Sequence, residues 1–267
     1  FDATIELGTA TSLDLSNLVV NSANLTTADS FVVAGSSNTS SLTLTGADGM
    51  EAAFTTGSGA DTLTGGTGND TLSAGAGADT ISGENGDDTI VGAAGNDTIN
   101  GGAGDDNITG GTGVDTMTGG AGNDTYDFDA AGEVGVGESI VEAASGGTDV
   151  INVDATVDFT NMAASSFDEI EQIDIANSIT ATYTGAQLTG ETIELETASN
   201  GTTTAMVVNV AFGETADLSS VTATTNWTAG EDTITINGLG GNETITGTAE
   251  NDAINLGAGA DTLKVAF

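Results

Sequence analysis

Residues 65–73 read GGTGNDTLS, and close variants of that phrase fill residues 56–127 in one unbroken frame. The copies are TGSGADTLT (56–64), GGTGNDTLS (65–73), AGAGADTIS (74–82), GENGDDTIV (83–91), GAAGNDTIN (92–100), GGAGDDNIT (101–109), GGTGVDTMT (110–118) and GGAGNDTYD (119–127). The eighth position is Leu63, Leu72, Ile81, Ile90, Ile99, Ile108, Met117 and Tyr126. It is always apolar and lies between polar neighbours, which predicts a short strand with one side chain turned inward. The six residues before it are turn formers, where glycine permits positive φ and carbonyls can point into the bend.

A three-residue strand and a six-residue turn, used twice, make a flattened coil of 18 residues. Coils stacked at strand spacing lie ~4.8 Å apart. Asp61, Asp79, Asp97 and Asp115 then line one edge, and Asp70, Asp88, Asp106 and Asp124 the other. Carboxylates ~5 Å apart repel by roughly 1–3 kcal/mol per pair, so a bare column is unstable. A single Gly/Asp turn would merely close a solenoid. Eight in register, in a chain with one basic residue, point to a bound cation. Calcium takes six to eight oxygens and accepts carbonyls beside carboxylates, whereas magnesium demands strict octahedral geometry. Zinc favours His or Cys, and the chain has neither. Several calcium ions are therefore expected along the two edges.

Composition narrows the function further. Forty acidic residues against Lys264 alone give a net charge of −39, which excludes nucleic acid and anionic membrane as partners. Only 4% of residues are aromatic, so the core must be built from thin aliphatic layers. No apolar run approaches the ~18–20 residues of a membrane span. The opening FDATIELG has neither a charged region nor an apolar one, so no signal peptide is visible, and without Met it reads as a piece of a longer chain. The absence of cysteine fits either an extracellular protein or plain compositional bias.

The pattern GGxGxDxUx resembles the nonapeptide of RTX (repeats-in-toxin) proteins, whose repeats form a calcium-bound parallel β-roll. The resemblance implies an all-β fold, with a calcium-bound β-roll and flanking β-solenoid or β-sandwich strands. It also implies that each ion is held by two turns one coil apart: Asp61 with Asp79, Asp70 with Asp88, and so on. Carbonyls of the first four repeat positions complete the ligand set. In this chain they belong to Gly57, Gly59, Gly65, Gly66, Thr67, Gly68, Gly75, Ala76, Gly77, Gly83, Asn85 and Gly86. Further along they belong to Gly92, Ala94, Gly95, Gly101, Gly102, Ala103, Gly104, Gly110, Thr112, Gly113, Gly120 and Gly122. The pattern is broken at Ala74, Glu84 and Ala93–Ala94, where a strained turn has lost glycine.

A longer repetition surrounds the roll. GAGADTL (257–263) matches GSGADTL (57–63), TITG (244–247) matches TLTG (43–46), and ADLSSV (216–221) matches LDLSNL (13–18). Residues 204–263 thus read as a second copy of about 1–63. The expected divisions are a strand segment 1–55, the roll 56–128, an irregular β-rich segment 129–203, a second leading segment 204–237 and a short degenerate roll 238–267. In that last roll Glu243, Asp252 and Asp261 hold the acidic position, with Glu243 opposite Asp261. Asp149 after GT is a weaker ligand candidate, and TGAQLTG (184–190) predicts one helical turn. Asp168, Glu169 and Glu171 read as an exposed strand face, and Trp227 as core or a coil cap.

No enzyme is expected. Without His and Cys, Ser/His and Cys/His nucleophilic catalysis is excluded, and no P-loop lysine follows any glycine-rich turn. The sequence is similar in composition to RTX-type bacterial S-layer proteins. It predicts a secreted, cell-surface building block that folds and assembles on calcium after type I secretion. Its partners would be calcium, further copies of itself and cell-surface polysaccharide. The alternatives are an extender or binding segment of a large RTX adhesin, and the RTX module trailing a secreted enzyme or toxin.

Overall fold

A computed structural model describes residues 3–6, 13–14, 30–34, 39–46, 49, 51–142, 147–176, 178–197, 204–211, 213–223, 232–248 and 252–264. Trp227 lies outside them. The described chain is almost entirely β, and the paired strands whose register is resolved run parallel. It divides into two compact units, Phe1–Tyr126 with Ala143–Gly147, and Asp127–Glu142 with Thr148–Phe267.

In the first unit the strands alternate between two sheets. Thr62–Thr67, Thr80–Asn85, Thr98–Ala103 and Thr116–Ala121 lie side by side in one sheet, preceded by Leu13–Asp14 and Thr43–Thr45. Thr71–Ala76, Thr89–Gly95 and Asn107–Gly113 lie in the other, preceded by Glu51–Thr55. Register places Leu63, Ile81, Ile99 and Met117 in one row and Leu72, Ile90, Ile108 and Tyr126 in a second. All eight side chains are buried, and the residue before each, threonine in seven coils and Asn107 in the other, is exposed or half-exposed. The 18-residue coil is therefore observed directly, with one apolar residue per strand feeding a thin core.

The strands are longer than three residues. Each runs through positions 7–9 of one repeat and on into positions 1–3 of the next, pairing Gly66 with Glu84 and Gly102 with Gly120. Glycine is a poor strand former by side chain, but its backbone N–H and C=O join the ladder like any other, and an exact coil repeat always supplies them a partner. The tight bend is correspondingly shorter than six residues.

The second unit is also a stack of parallel strands, and not a sandwich of antiparallel ones. Val150–Val153, Gln172–Ile175, Ile193–Thr197 and Val221–Ala223 form one ladder. Val157–Asp158, Thr180–Thr184, Ala205–Val210, Thr233–Gly238 and Asp252–Asn255 form another. Its core carries an aromatic cluster: Phe159 stacks on Tyr183 at 5.0 Å and meets Phe128 and Phe167 edge-on. The expected helical turn is Gly185–Leu188, closed by a capping box between Thr184 and Gln187. Asp168 and Glu169 sit in a turn, and not on the strand face expected of them, because the strand begins only at Gln172.

A third ladder in this unit joins Thr215–Asp217, Thr244–Thr246 and Thr262–Lys264. Its register pairs Ala216 with Ile245 and Ile245 with Leu263. In the first unit Leu13 pairs with Leu44 and Leu44 with Leu63, the matching residues in the matching order. The sequence duplication is thus a duplication of fold.

Candidate metal centre

The acidic position of every nonapeptide falls where a turn re-enters a strand, and this placement buries the carboxylate. Asp61, Asp70, Asp79, Asp88, Asp97, Asp106, Asp115 and Asp124 are all at most 2% exposed. Each is tied to the coil before it. The Asp61 N–H donates to Asp79 Oδ1 at 2.7 Å, and the Asp79 N–H to Asp97 Oδ1 at 2.8 Å. On the opposite edge Asp70 donates to Asp88 at 2.7 Å, and Asp88 to Asp106 at 2.8 Å. The same bonds run from Asp97 to Asp115 and from Asp106 to Asp124. Each edge starts on an apolar residue: Leu42 donates to Asp61 and Ala52 to Asp70. Aspartates one coil apart are therefore joined by a backbone-to-carboxylate ladder.

One carboxylate oxygen is used in this way. The other, Oδ2 of Asp61, Asp70, Asp79, Asp88, Asp97 and Asp106, is buried with no hydrogen-bond donor. Burying an anionic oxygen unpartnered costs several kcal/mol. Accordingly burial pushes Asp88 and Asp106 up to about 7, and Asp70 and Asp97 up to about 6. The backbone N–H opposes the shift, and neighbouring carboxylates of the column add to it. Asp79, Asp115 and Asp124 shift upward for the same first reason.

Backbone oxygens meet these carboxylates at one place. A Cβ on Gly65 would collide with Asp70 Oδ2 and lie 2.8 Å from the Gly83 carbonyl oxygen. Gly83 stands likewise toward Asp88 and the Gly101 carbonyl, Gly92 toward Asp97 and the Gly110 carbonyl, and Gly101 toward Asp106 and the Gly119 carbonyl. Gly119 was absent from the expected ligand set, although the frame of the repeat points to it. The donor set is all oxygen, anionic and buried, with one carboxylate oxygen left over on each of these rungs. That fits a hard dication such as calcium and lacks the His and Cys ligands typical of zinc sites.

The other carbonyls have separate duties. Those of Asn85, Ala94 and Ala103 accept the N–H groups of Gly68, Gly77 and Gly86 at 2.8 Å, and that of Gly57 accepts from Ala76. A carbonyl has two lone pairs, so each keeps one for an ion. From Gly66 onward the glycines at the second and fourth positions, such as Gly66, Gly68, Gly75, Gly77, Gly95, Gly102, Gly104, Gly113, Gly120 and Gly122, adopt the positive φ that the turn requires. Glu84 and Ala93 adopt φ of 80° in the same place, so the departures from glycine leave the turn intact at a cost in strain. The Gly59 and Thr67 carbonyls lie on the same turns, the latter accepting from Gly49, and Thr112 pairs with Ala94 in the ladder.

In the second unit Glu243 repeats this arrangement. It is 1% exposed, its N–H donates to Asp261 Oδ1 at 3.2 Å, and its Oε2 has no donor. A Cβ on Gly238 would lie 3.3 Å from that oxygen and 2.6 Å from the Leu256 carbonyl. Asp252 differs: both its oxygens accept from Thr248 of its own turn. Two residues of the same ladder type were not among the expected ligands. Glu171 accepts from the Asp149 N–H at 2.8 Å, and Asp232 accepts from the Thr204 N–H at 3.0 Å. Their coils are 22 and 28 residues long, so no fixed period betrays them.

Residues 55–90, 91–126 and 237–264 each match a family model that describes the RTX calcium-binding nonapeptide repeat (4 copies). A search of curated proteins and a search of solved structures return no match. Over 55–126 and 237–264 this chain is built of RTX calcium-binding nonapeptide repeats, and calcium is the ion they bind.

Proposed function

We propose that the chain is an extracellular, calcium-dependent structural protein, a building block of a bacterial S-layer or similar surface array, with no catalytic activity of its own. The observation that supports this reading is the duplicated register: Ala216, Ile245 and Leu263 stack in the second unit as Leu13, Leu44 and Leu63 do in the first, so one ladder module occurs twice, as in a protein built of tandem modules.

RTX repeats belong to proteins that are typically secreted, and the charge of the chain supports a calcium-gated route. In a calcium-poor cell the buried carboxylates oppose folding, which suits export as an unfolded strand. Outside, millimolar calcium meets the affinity class of extracellular modules, ~10⁻⁴–10⁻³ M, and binding energy becomes folding energy. No described helix is long and apolar enough to cross a membrane.

The test is electron microscopy and light scattering of the chain with calcium, beside the same chain in chelator. Sheets or ribbons that form only with calcium support the array. A folded monomer at every concentration refutes it and moves the reading to an adhesin extender.

A further inference from the structure

The first position of the nonapeptide is glycine in six repeats, Thr56 in the first and Ala74 in the third. Those six glycines differ from their neighbours at positions two and four, because none has a positive φ. Backbone freedom is therefore not what requires them. The requirement is room. In all six the first atom a Cβ would meet is Oδ2 of the aspartate five residues on, and in Gly65, Gly83, Gly92 and Gly101 a carbonyl oxygen of the next coil stands within 2.8 Å of the same point. The open point between these oxygens is the place a cation can occupy.

Thr56 and Ala74 carry, at this position of the repeat, the Cβ that the six glycines lack. Both residues are buried, at 2% and 0% exposure. Thr56 Oγ1 donates to the Ala74 carbonyl oxygen at 2.6 Å, so the carbonyl that faces the gap in other rungs is here held by a hydroxyl. Ala74 brings only a methyl group, which supplies no oxygen. Oδ2 of Asp61 and of Asp79 is as buried and as lacking in donors as its counterparts. Space, and not charge, separates the two classes of rung.

We infer that the two edges of the roll load calcium unequally: the rungs of Asp61 and Asp79 are closed by Thr56 and Ala74, while those of Asp70, Asp88, Asp97 and Asp106 are open. One edge is then cation-bound along its length. The other starts with two rungs held by side chains and becomes cation-bound only from Gly92 onward.

Calcium stoichiometry by titration calorimetry on the full chain, beside Ala74→Gly and Gly92→Ala, tests this, with a crystal of the wild type read by anomalous scattering. The inference predicts one ion more for Ala74→Gly, one fewer for Gly92→Ala, and no anomalous peak at the Asp61 and Asp79 rungs. Peaks of equal height on both edges overturn it, as does unchanged stoichiometry in a folded Ala74→Gly. Should either variant fail to fold, the wild-type map alone decides. Absence of any bound calcium would be a different failure, that of the repeat as a calcium site.

Discussion

The roll at 56–126 and the segment at 238–264 share a register and differ in how fully it is furnished. Leu44 and Leu63 pair in the first, Ile245 and Leu263 in the second, at equivalent places in equivalent ladders. In the roll the ladder continues for several coils on both edges, every inward side chain is covered, and each edge carries four buried aspartates. The second segment has Glu243 opposite Asp261, an Asp252 satisfied by Thr248 of its own turn, and an exposed Leu263. Backbone register can thus persist where the ion column has faded. In the second unit, coils of irregular length enclose a stacked aromatic core instead.

The largest break in that comparison should come from chelation. Hydrogen exchange followed by mass spectrometry is expected to show loss of protection across 62–121 in excess chelator. Much of the protection at 172–210, where Phe159, Phe167 and Tyr183 pack, should remain. Uniform loss would mean that the two regions fold as one. Uniform retention would mean that calcium is dispensable.

Acidity should act on the roll in opposite directions with and without calcium. Folding raises the carboxylates of Asp88 and Asp106 to about 7, and those of Asp70 and Asp97 to about 6, above ordinary unfolded values near 3.8. Between those limits the folded state holds more protons than the unfolded one, so calcium-free stability is full below pH ~4 and falls as pH rises through 6 and 7. With calcium present, the same protons compete with the ion, and stability should fall as pH drops through 7 toward 5. Denaturant melts at pH 4.5 and 7.5, with and without calcium, should show this crossover.

Leu63→Ala and Leu263→Ala probe one core position in two settings. The first empties a sealed layer and should cost about 2–4 kcal/mol, whereas the second, already exposed, should cost under about 0.5 kcal/mol. Equal costs in a chemical melt would show that the last coil is covered in solution.

Much of this was legible in the letters, for an identifiable reason. A nine-residue period with one apolar position prescribes coil length, strand pairing and acid column together, because each strand repeats the one 18 residues before it. Coil lengths of 22 and 28 residues hold no such period, so Glu171 reads as part of an exposed strand face and Asp232 is not marked as a ligand. Glycine concealed a second distinction. Gly65 and Gly66 are one letter twice, but the first makes room beside Asp70 and the second permits a positive φ. Nor could the letters show that strands run into the glycines, since only an in-register neighbour makes a glycine backbone part of a sheet.

Smaller effects refine the account. Asp88→Asn should weaken calcium binding in the roll about tenfold, equivalent to ~1.4 kcal/mol, and lower its calcium midpoint cooperativity. Glu243→Gln should alter only the single pairing with Asp261, leaving the roll midpoint in place. Isothermal titration of both variants separates the two. Ala93→Gly removes a side chain held at φ 80° and should stabilise the calcium-bound roll by about 1 kcal/mol in a thermal melt.

Sedimentation velocity across a calcium titration, from chelator to about 10 mM, tests the central claim most directly, since it spans the extracellular affinity range. If stacked, buried carboxylates require calcium, the chain should sediment as an expanded coil in chelator and compact as calcium rises, with the transition in the range of ~10⁻⁴–10⁻³ M. An identical sedimentation coefficient at both ends of the titration would contradict it.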